Sequence, residues 1–196
     1  MRIFGVILAG GEGRRMGGAD KALLILAGQT LISRAVARLA PQVERLCISA
    51  NGDPARFAET GLPVLADGTS RGPLSGVLSA LDWAAPQGAT HVVSVAVDTP
   101  FFPGDLVPCL LLAGESSPQG VALAESGGHL HPTFGLWPVG LREDLRAALA
   151  RNRNRVRAFA EERQAAIARF PDERAFRNLN TAQDLALAEA SLGPVR

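Results

Sequence analysis

Several things are scarce in this chain, and each scarcity removes a class of protein. Cysteine occurs twice in 196 residues, at Cys47 and Cys109, far apart and in apolar contexts. No metal-ligand spacing follows from that, so both read as buried free thiols in a reducing compartment. Net charge is only +1, which argues against broad nucleic-acid binding. No apolar run reaches membrane-spanning length. The N-terminal run Ile3–Leu8 is short and passes straight into glycines, so a secretory signal is the poorer reading and a cytoplasmic protein the expected one. Tyrosine is absent, and Lys21 is the sole lysine among 20 basic residues, a mark of arginine-biased composition. What remains is 47% hydrophobic, enough for a substantial core. With no repeat, linker or low-complexity segment, one domain over residues 1–196 is expected.

The chain is organised around residues 8–21, LAGGEGRRMGGADK, which follow the strand-like run IFGVIL. Glycines crowd between Gly10 and Gly18. Such a loop turns sharply, lets a ligand approach the backbone and exposes amides that cradle phosphate. Arg14, Arg15 and Lys21 add positive charge to the same space. The pattern is neither G-x-G-x-x-G nor a P-loop. Glycine turns without a ligand are common. The sole lysine beside the loop favours a need for a compact point charge over a planar fork, against chance placement.

Strand and helix signals then alternate. Helical spacing marks Leu31–Leu39 and Leu74–Trp83, while strand character marks 43–50, 62–66 and 91–97. Alternation predicts parallel βαβ units and an open α/β sheet. Ligands of such sheets bind beyond the carboxyl ends of the strands. Those ends deliver the glycine loop, Ser49 to Asn51, Asp67 and Asp98. Asp98, in AVDTPFFP, suits magnesium, which takes one or two carboxylates plus substrate phosphates; an Asx turn before proline is the rival reading. Asp67 precedes Gly68 and equally suits a turn. Gly72-Pro73 suits a helix start.

Further on, Val121–Ala124 reads as a strand, 127–128 as a turn and Leu141–Leu149 as a helix. His129 and His131 lack a third ligand, so a metal pair is rejected in favour of satisfied histidines. RNRNRVR, residues 151–157, is the strongest charge run. It reads either as a solvated helix start or, through Arg153 and Arg155, as a fork for a phosphate. Thr181 with Asp184 reads as a capped helix start.

The pieces LAGG, R-M-G-G and D-K, at Leu8–Gly11, Arg15–Gly18 and Asp20–Lys21, resemble the signature of the nucleotidyltransferases, most of all the molybdenum cofactor guanylyltransferases. The resemblance extends to Asp184. It implies an α/β fold, a three-layer, Rossmann-like nucleotide-binding domain with a mostly parallel sheet, and GMP transfer from GTP to the terminal phosphate of molybdopterin, with magnesium. Under it Arg15, Lys21 and Asp98 are catalytic. Leu8, Ala9, Gly10, Gly11, Lys21, Ser49, Asp67, Gly76 and Asp98 bind the nucleotide. His131, Arg153, Arg155, Asn178 and Asn180 serve the acceptor, and Asp98 with Asn180 holds the metal. Residues 1–104 are the expected nucleotide half and 105–196 the acceptor half. One departure is Ser49, where many members carry asparagine; serine lacks the amide's paired donor and acceptor.

The expected chemistry is in-line attack on the α-phosphorus, driven by positioning and charge neutralisation. An anionic acceptor needs no general base, and no covalent nucleophile is required. Partners are then GTP, molybdopterin and, transiently, delivery proteins or molybdoenzymes, with no nucleic acid and no membrane. Two rivals stay open: a cytidylyl or sugar-phosphate nucleotidyltransferase, and a nucleotide-binding module without turnover.

Overall fold

A computed structural model describes residues 1–10, 20–68 and 72–192. The first strand, β1 (Ile3–Leu8), is the predicted apolar run, and five of its six residues are buried. A short 3-10 turn over Lys21–Leu23 starts at Asp20, whose side chain accepts from the Ala22 amide. A hairpin follows, β2 (Ile25–Leu26) and β3 (Gln29–Thr30). Its two turn residues, Ala27 and Gly28, have φ of 45° and 79°, the paired left-handed conformation of a tight two-residue hairpin.

Helix α1 (Leu31–Leu39) has the bounds its spacing predicts. Thr30 caps it by accepting from the Ser33 amide, and Leu31, Ile32, Ala35 and Leu39 form its buried stripe. Strands β4 (Arg45–Ser49) and β5 (Val64–Leu65) are shorter than the runs that predict them. Helix α2 (Pro73–Ala84) begins with proline at its first position, where a missing amide costs nothing. Gly72 just before it sits at φ +85°, open to glycine and strained for other residues. Strand β6 (His91–Ala96) then leads to Asp98.

The second half holds more order than the sequence suggests. It contains α3 (Leu106–Gly114), β7 (Ala122–Ser126), β8 (His129–Pro138), α4 (Arg142–Ala150), α5 (Val156–Glu162), β9 (Ala166–Phe170) and α6 (Ala182–Leu192). Three of these, α3, β8 and β9, have no counterpart in the sequence reading. The run 151–157 is mostly a turn, with α5 starting only at Val156. At α6 the predicted cap is present: Asp184 Oδ2 accepts from the Asn180 and Thr181 amides, and Thr181 Oγ1 from the Asp184 amide.

The large sheet runs β5-β4-β1-β6-β8-β7-β9. Only β8 is antiparallel to its neighbours. Two apolar clusters lie on its opposite faces. One joins Ile7, Val93 and Val95 to α1 and α3; the other joins Phe4, Val6 and Leu8 to α2, α4 and α5. These are the three expected layers. The parallel strands of the first half stand in the order third, second, first, fourth. The chain reverses direction across the sheet between β1 and β6, the kind of switch point at which open α/β sheets bind their ligands.

Candidate active site

Strand ends at this switch point are pinned by backbone bonds. The Ala9 amide donates to Ser49 O at 2.9 Å, Ala50 to Leu65 O at 3.0 Å, and Val97 to Leu8 O at 3.2 Å. Four predicted residues meet beyond them. Lys21 Nζ donates to Asp98 Oδ2 at 2.8 Å and to Asn180 Oδ1 at 2.5 Å. The Leu179 amide donates to Asp98 O at 2.7 Å, and Thr99 Oγ1 donates to Asn178 Oδ1 at 2.6 Å. The C-terminal stretch 178–180 is thereby laid across the end of β6. Lys21 and Asp98 are each about one-fifth exposed, so the pair is open on one side and screened on the others.

The metal expectation is tested by this donor set. A carboxylate oxygen and an amide oxygen converge on one cationic atom, and both are hard oxygens of the kind magnesium takes. Among the described residues no cluster of three or more His, Cys, Asp or Glu exists.

A second group lies on the β4–β5 side. Asn51 Nδ2 donates to Asp67 Oδ1, and the Asp67 amide returns a bond to Asn51 Oδ1 at 3.2 Å. Asp67 is thus oriented, and its other oxygen would lie 3.5 Å from a Cβ on Gly10. Arg56 Nη2 donates to Asn51 O at 2.7 Å, and its Nη1 lies 2.9 Å from Asp20 Oδ2. One guanidinium therefore ties the residue before Lys21 to the end of β4. Neither Arg56 nor the side-chain role of Asn51 is visible in sequence. The sequence places Asn51 at the end of its strand but does not show its bond to Asp67, and Arg56 is one arginine among many.

Ser49 and Gly76, both expected at the nucleotide, pack against each other. Ser49 is 2% exposed. A Cβ on Gly76 would stand 2.5 Å from Ser49 Oγ and 2.8 Å from Leu8 Cδ2. Glycine at 76 lets α2 lie against the ends of β1 and β4. Its smallness serves that packing.

His131 stands apart. Its ring stacks on Phe176 with centroids 4.4 Å apart, and Nε2 bonds Ser126 Oγ at 2.7 Å. Burial, helped by nearby His129, holds its pKa below the usual histidine value. It is a satisfied histidine, as expected, and it buttresses Phe176, which opens the stretch carrying Asn178 and Asn180. Arg153 and Arg155 line a separate cavity of about 240 Å³ with Asn152, Asn154, Ala158, Phe159 and Glu162. Arg153 is ion-paired with Glu162. The loop's Asn154 carbonyl would lie 4.0 Å from a Cβ on Gly72, which brings the cavity to the start of α2. Gly11 and Arg15, also expected in the site, lie outside the described residues, as do Arg14 and most of the glycine loop.

Among the described residues no helix is long and apolar enough to cross a membrane. Residues 5–167 match the MobA-like NTP transferase domain. A molybdenum cofactor guanylyltransferase of Cereibacter sphaeroides is 60% identical over 192 residues, with 98% of each chain covered. The crystal structure of molybdopterin-guanine dinucleotide biosynthesis protein A from Archaeoglobus fulgidus superposes with a TM-score of 0.76 at 20% identity, covering 98% of this chain and all of that one. A 4-diphosphocytidyl-2C-methyl-D-erythritol synthase from Anaerococcus prevotii reaches 0.75 at 13% identity, covering 97% and 96%. At these identities the two structures share the fold alone. The near-full-length identity and the domain match together place this chain among the MobA-like nucleotidyltransferases, in the molybdenum cofactor guanylyltransferase family.

Proposed function

We propose that the chain transfers GMP from GTP to the terminal phosphate of molybdenum-bearing molybdopterin, releasing pyrophosphate and forming molybdopterin guanine dinucleotide. An acceptor phosphate oxygen forms the new bond to the α-phosphorus, and the bond to the β-phosphate oxygen breaks. The observation that carries the reading is the convergence of Lys21, Asp98 and Asn180 at the switch point, in a chain 60% identical to a molybdenum cofactor guanylyltransferase.

In this reading residues 1–104 hold the nucleotide. Leu8, Ala9 and Gly10 lead into the phosphate cradle, continued by Gly11 and Arg15. Ser49 and Gly76 form the wall, and Asp67, fixed by Asn51, contacts the nucleoside. Lys21 neutralises phosphate charge as a point donor. Asp98 and Asn180 would hold magnesium, which when bound would offset the charge of the triphosphate. Residues 105–196 supply the acceptor side through Asn178, Asn180 and the Arg153–Arg155 loop, with His131 behind Phe176. Free Cys47 and Cys109 suit a reducing, cytoplasmic setting. Transient contact with a protein that delivers molybdopterin belongs to the same reading.

The test is to incubate the protein with magnesium, molybdenum-loaded molybdopterin and each of GTP, CTP, ATP and UTP in turn. Expected are pyrophosphate release and the dinucleotide mass with GTP. Turnover with CTP instead would move the chain to the cytidylyl relatives, and nucleotide binding without pyrophosphate would make it a binding module.

A further inference from the structure

The stretch 177–181 carries two asparagines on either side of a buried leucine. Leu179 is 1% exposed and its amide is tied to Asp98 O, while the asparagines on either side of it reach Thr99 and Lys21. Asn180 has its amide oxygen on Lys21. Asn178 is solvent-exposed, yet its amide oxygen is held from beneath by Thr99, a residue with no exposure at all.

The Thr99 hydroxyl has a single proton to donate. Two acceptors stand near it: Asn178 Oδ1 at 2.6 Å and Asp98 Oδ1 at 3.3 Å. The shorter contact takes the proton. An asparagine amide presents an acceptor on one side and two donors on the other. With its oxygen engaged by a buried hydroxyl, Asn178 turns its Nδ2 outward, where it makes no bond among the described residues. An outward-facing N–H pair beside Asp98 suits an anion, whereas the flipped amide would present oxygen to it.

We infer that Thr99 is a positioning residue for the acceptor: its buried hydroxyl fixes the Asn178 amide so that Nδ2 meets the acceptor phosphate. Thr99 touches neither substrate. It acts through Asn178, and it ties the acceptor side to the same turn that carries Asp98. This inference rests on the proposed transfer to a phosphate acceptor.

The test uses the whole chain with GTP, magnesium and molybdopterin. Thr99→Val keeps the shape and removes the hydroxyl. The Asn178 amide then loses its lock, and KM for molybdopterin rises about tenfold, the cost of roughly one hydrogen bond, while KM for GTP stays within about twofold. Thr99→Ser restores the hydroxyl and the acceptor KM. Because Thr99 acts through Asn178, the double variant Thr99→Val, Asn178→Ala is no worse than Asn178→Ala alone. Thr99→Ala, which only removes atoms, shows the same split should Thr99→Val fail to fold. An unchanged acceptor KM in the hydroxyl-free variants, an equal rise for both substrates, or additive losses in the double variant would overturn the role of Thr99. Absence of dinucleotide from the wild-type chain would instead overturn the proposed transfer itself, and the acceptor role of Thr99 with it.

Discussion

Lys21 Nζ stands 2.8 Å from Asp98 Oδ2, joining two residues 77 positions apart, and reaches Asn180 Oδ1, 159 positions away. One ammonium therefore holds the glycine-loop return, the end of β6 and the C-terminal stretch at a single point. A compact cation suits that point, since both partners approach one nitrogen. A planar guanidinium spreads its donors over a wider fork and cannot place one nitrogen between the same two oxygens without moving them.

Lys21→Ala is expected to lower kcat/KM by about 30- to 1000-fold, the loss of roughly 2–4 kcal/mol that accompanies removal of one charge-stabilising donor. Lys21→Arg should recover only part of that. Steady-state pyrophosphate release checks both. Full activity in Lys21→Arg would show that positive charge suffices and that the point geometry is immaterial.

Asp98→Asn keeps the shape but removes the charge. Turnover is expected to fall by about 10²–10³-fold, as for loss of a central electrostatic contact. The melting temperature should move little, because a partly exposed ion pair contributes only about 0–1 kcal/mol. The two readouts, taken at a fixed magnesium concentration, separate a catalytic carboxylate from a structural one; an active variant would remove Asp98 from the mechanism.

The first half of the chain is legible because its signals are local. Ile3–Leu8, Leu31–Leu39 and Asp98 each announce themselves through a run, a stripe or a strand-end carboxylate. Strand β9 escaped notice because AIARF alternates weakly and is held mainly by parallel pairing with β7, a contact made about 45 positions away. Helix α3 is apolar nearly all round, so it has no face for periodicity to detect. Within the site, Lys21 and Asp98 were readable singly, whereas the bonds from Thr99 to Asn178 and from Arg56 to Asn51 exist only through the fold. Gly76 enters the sequence reading only through the resemblance, whereas Ser49 and Leu8 beneath the helix are what demand glycine there.

Gly76→Ala tests that packing. The new Cβ would meet Ser49 Oγ and Leu8 Cδ2 below 3.0 Å, so α2 has to lift from the sheet. A loss of about 1–3 kcal/mol in stability is expected by urea unfolding, as for other overpacked cores. The pair Ser49→Ala, Gly76→Ala removes one of the two clashes and should recover part of it. A neutral Gly76→Ala would mean that the helix lies farther from the sheet than described.

His131 predicts a pH dependence. Burial disfavours its charged form, so its folded pKa lies below the unfolded value of about 6.5. Between those two values the unfolded chain binds more protons, so stability is fully present above about pH 6.5 and falls as pH drops through the window. His91 is shifted the same way, again chiefly by burial, and adds to the slope. Melting temperatures from pH 7.5 to 5 should therefore fall, and His131→Asn should flatten the curve while leaving the share of His91. An unchanged slope would assign the effect elsewhere.

Arg153 and Arg155 share one cavity but differ in what already holds them. Arg153 is engaged by Glu162, whereas the Arg155 side chain makes no hydrogen bond or ion pair among the described residues. The acceptor's pterin side, beyond the phosphate placed at Asn178, meets Arg155 without displacing a partner and must displace a carboxylate to reach Arg153. Arg155→Ala should therefore weaken molybdopterin binding the more, by about 10- to 100-fold if one charge-assisted hydrogen bond is lost. Arg153→Ala should weaken it less, and Glu162→Gln should tighten it by releasing Arg153. GTP affinity should stay unchanged in all three, because the cavity lies apart from Lys21 and Asp98. Wild-type binding of molybdopterin should also fall as salt rises, and more gently in Arg155→Ala, since exposed charge contacts are screened. Paired calorimetric titrations, one per ligand and at two salt concentrations, read all of this. Equal losses for GTP and molybdopterin would point to a damaged fold or one shared site. No loss for either in Arg155→Ala would return the cluster to a solvated turn at the start of α5.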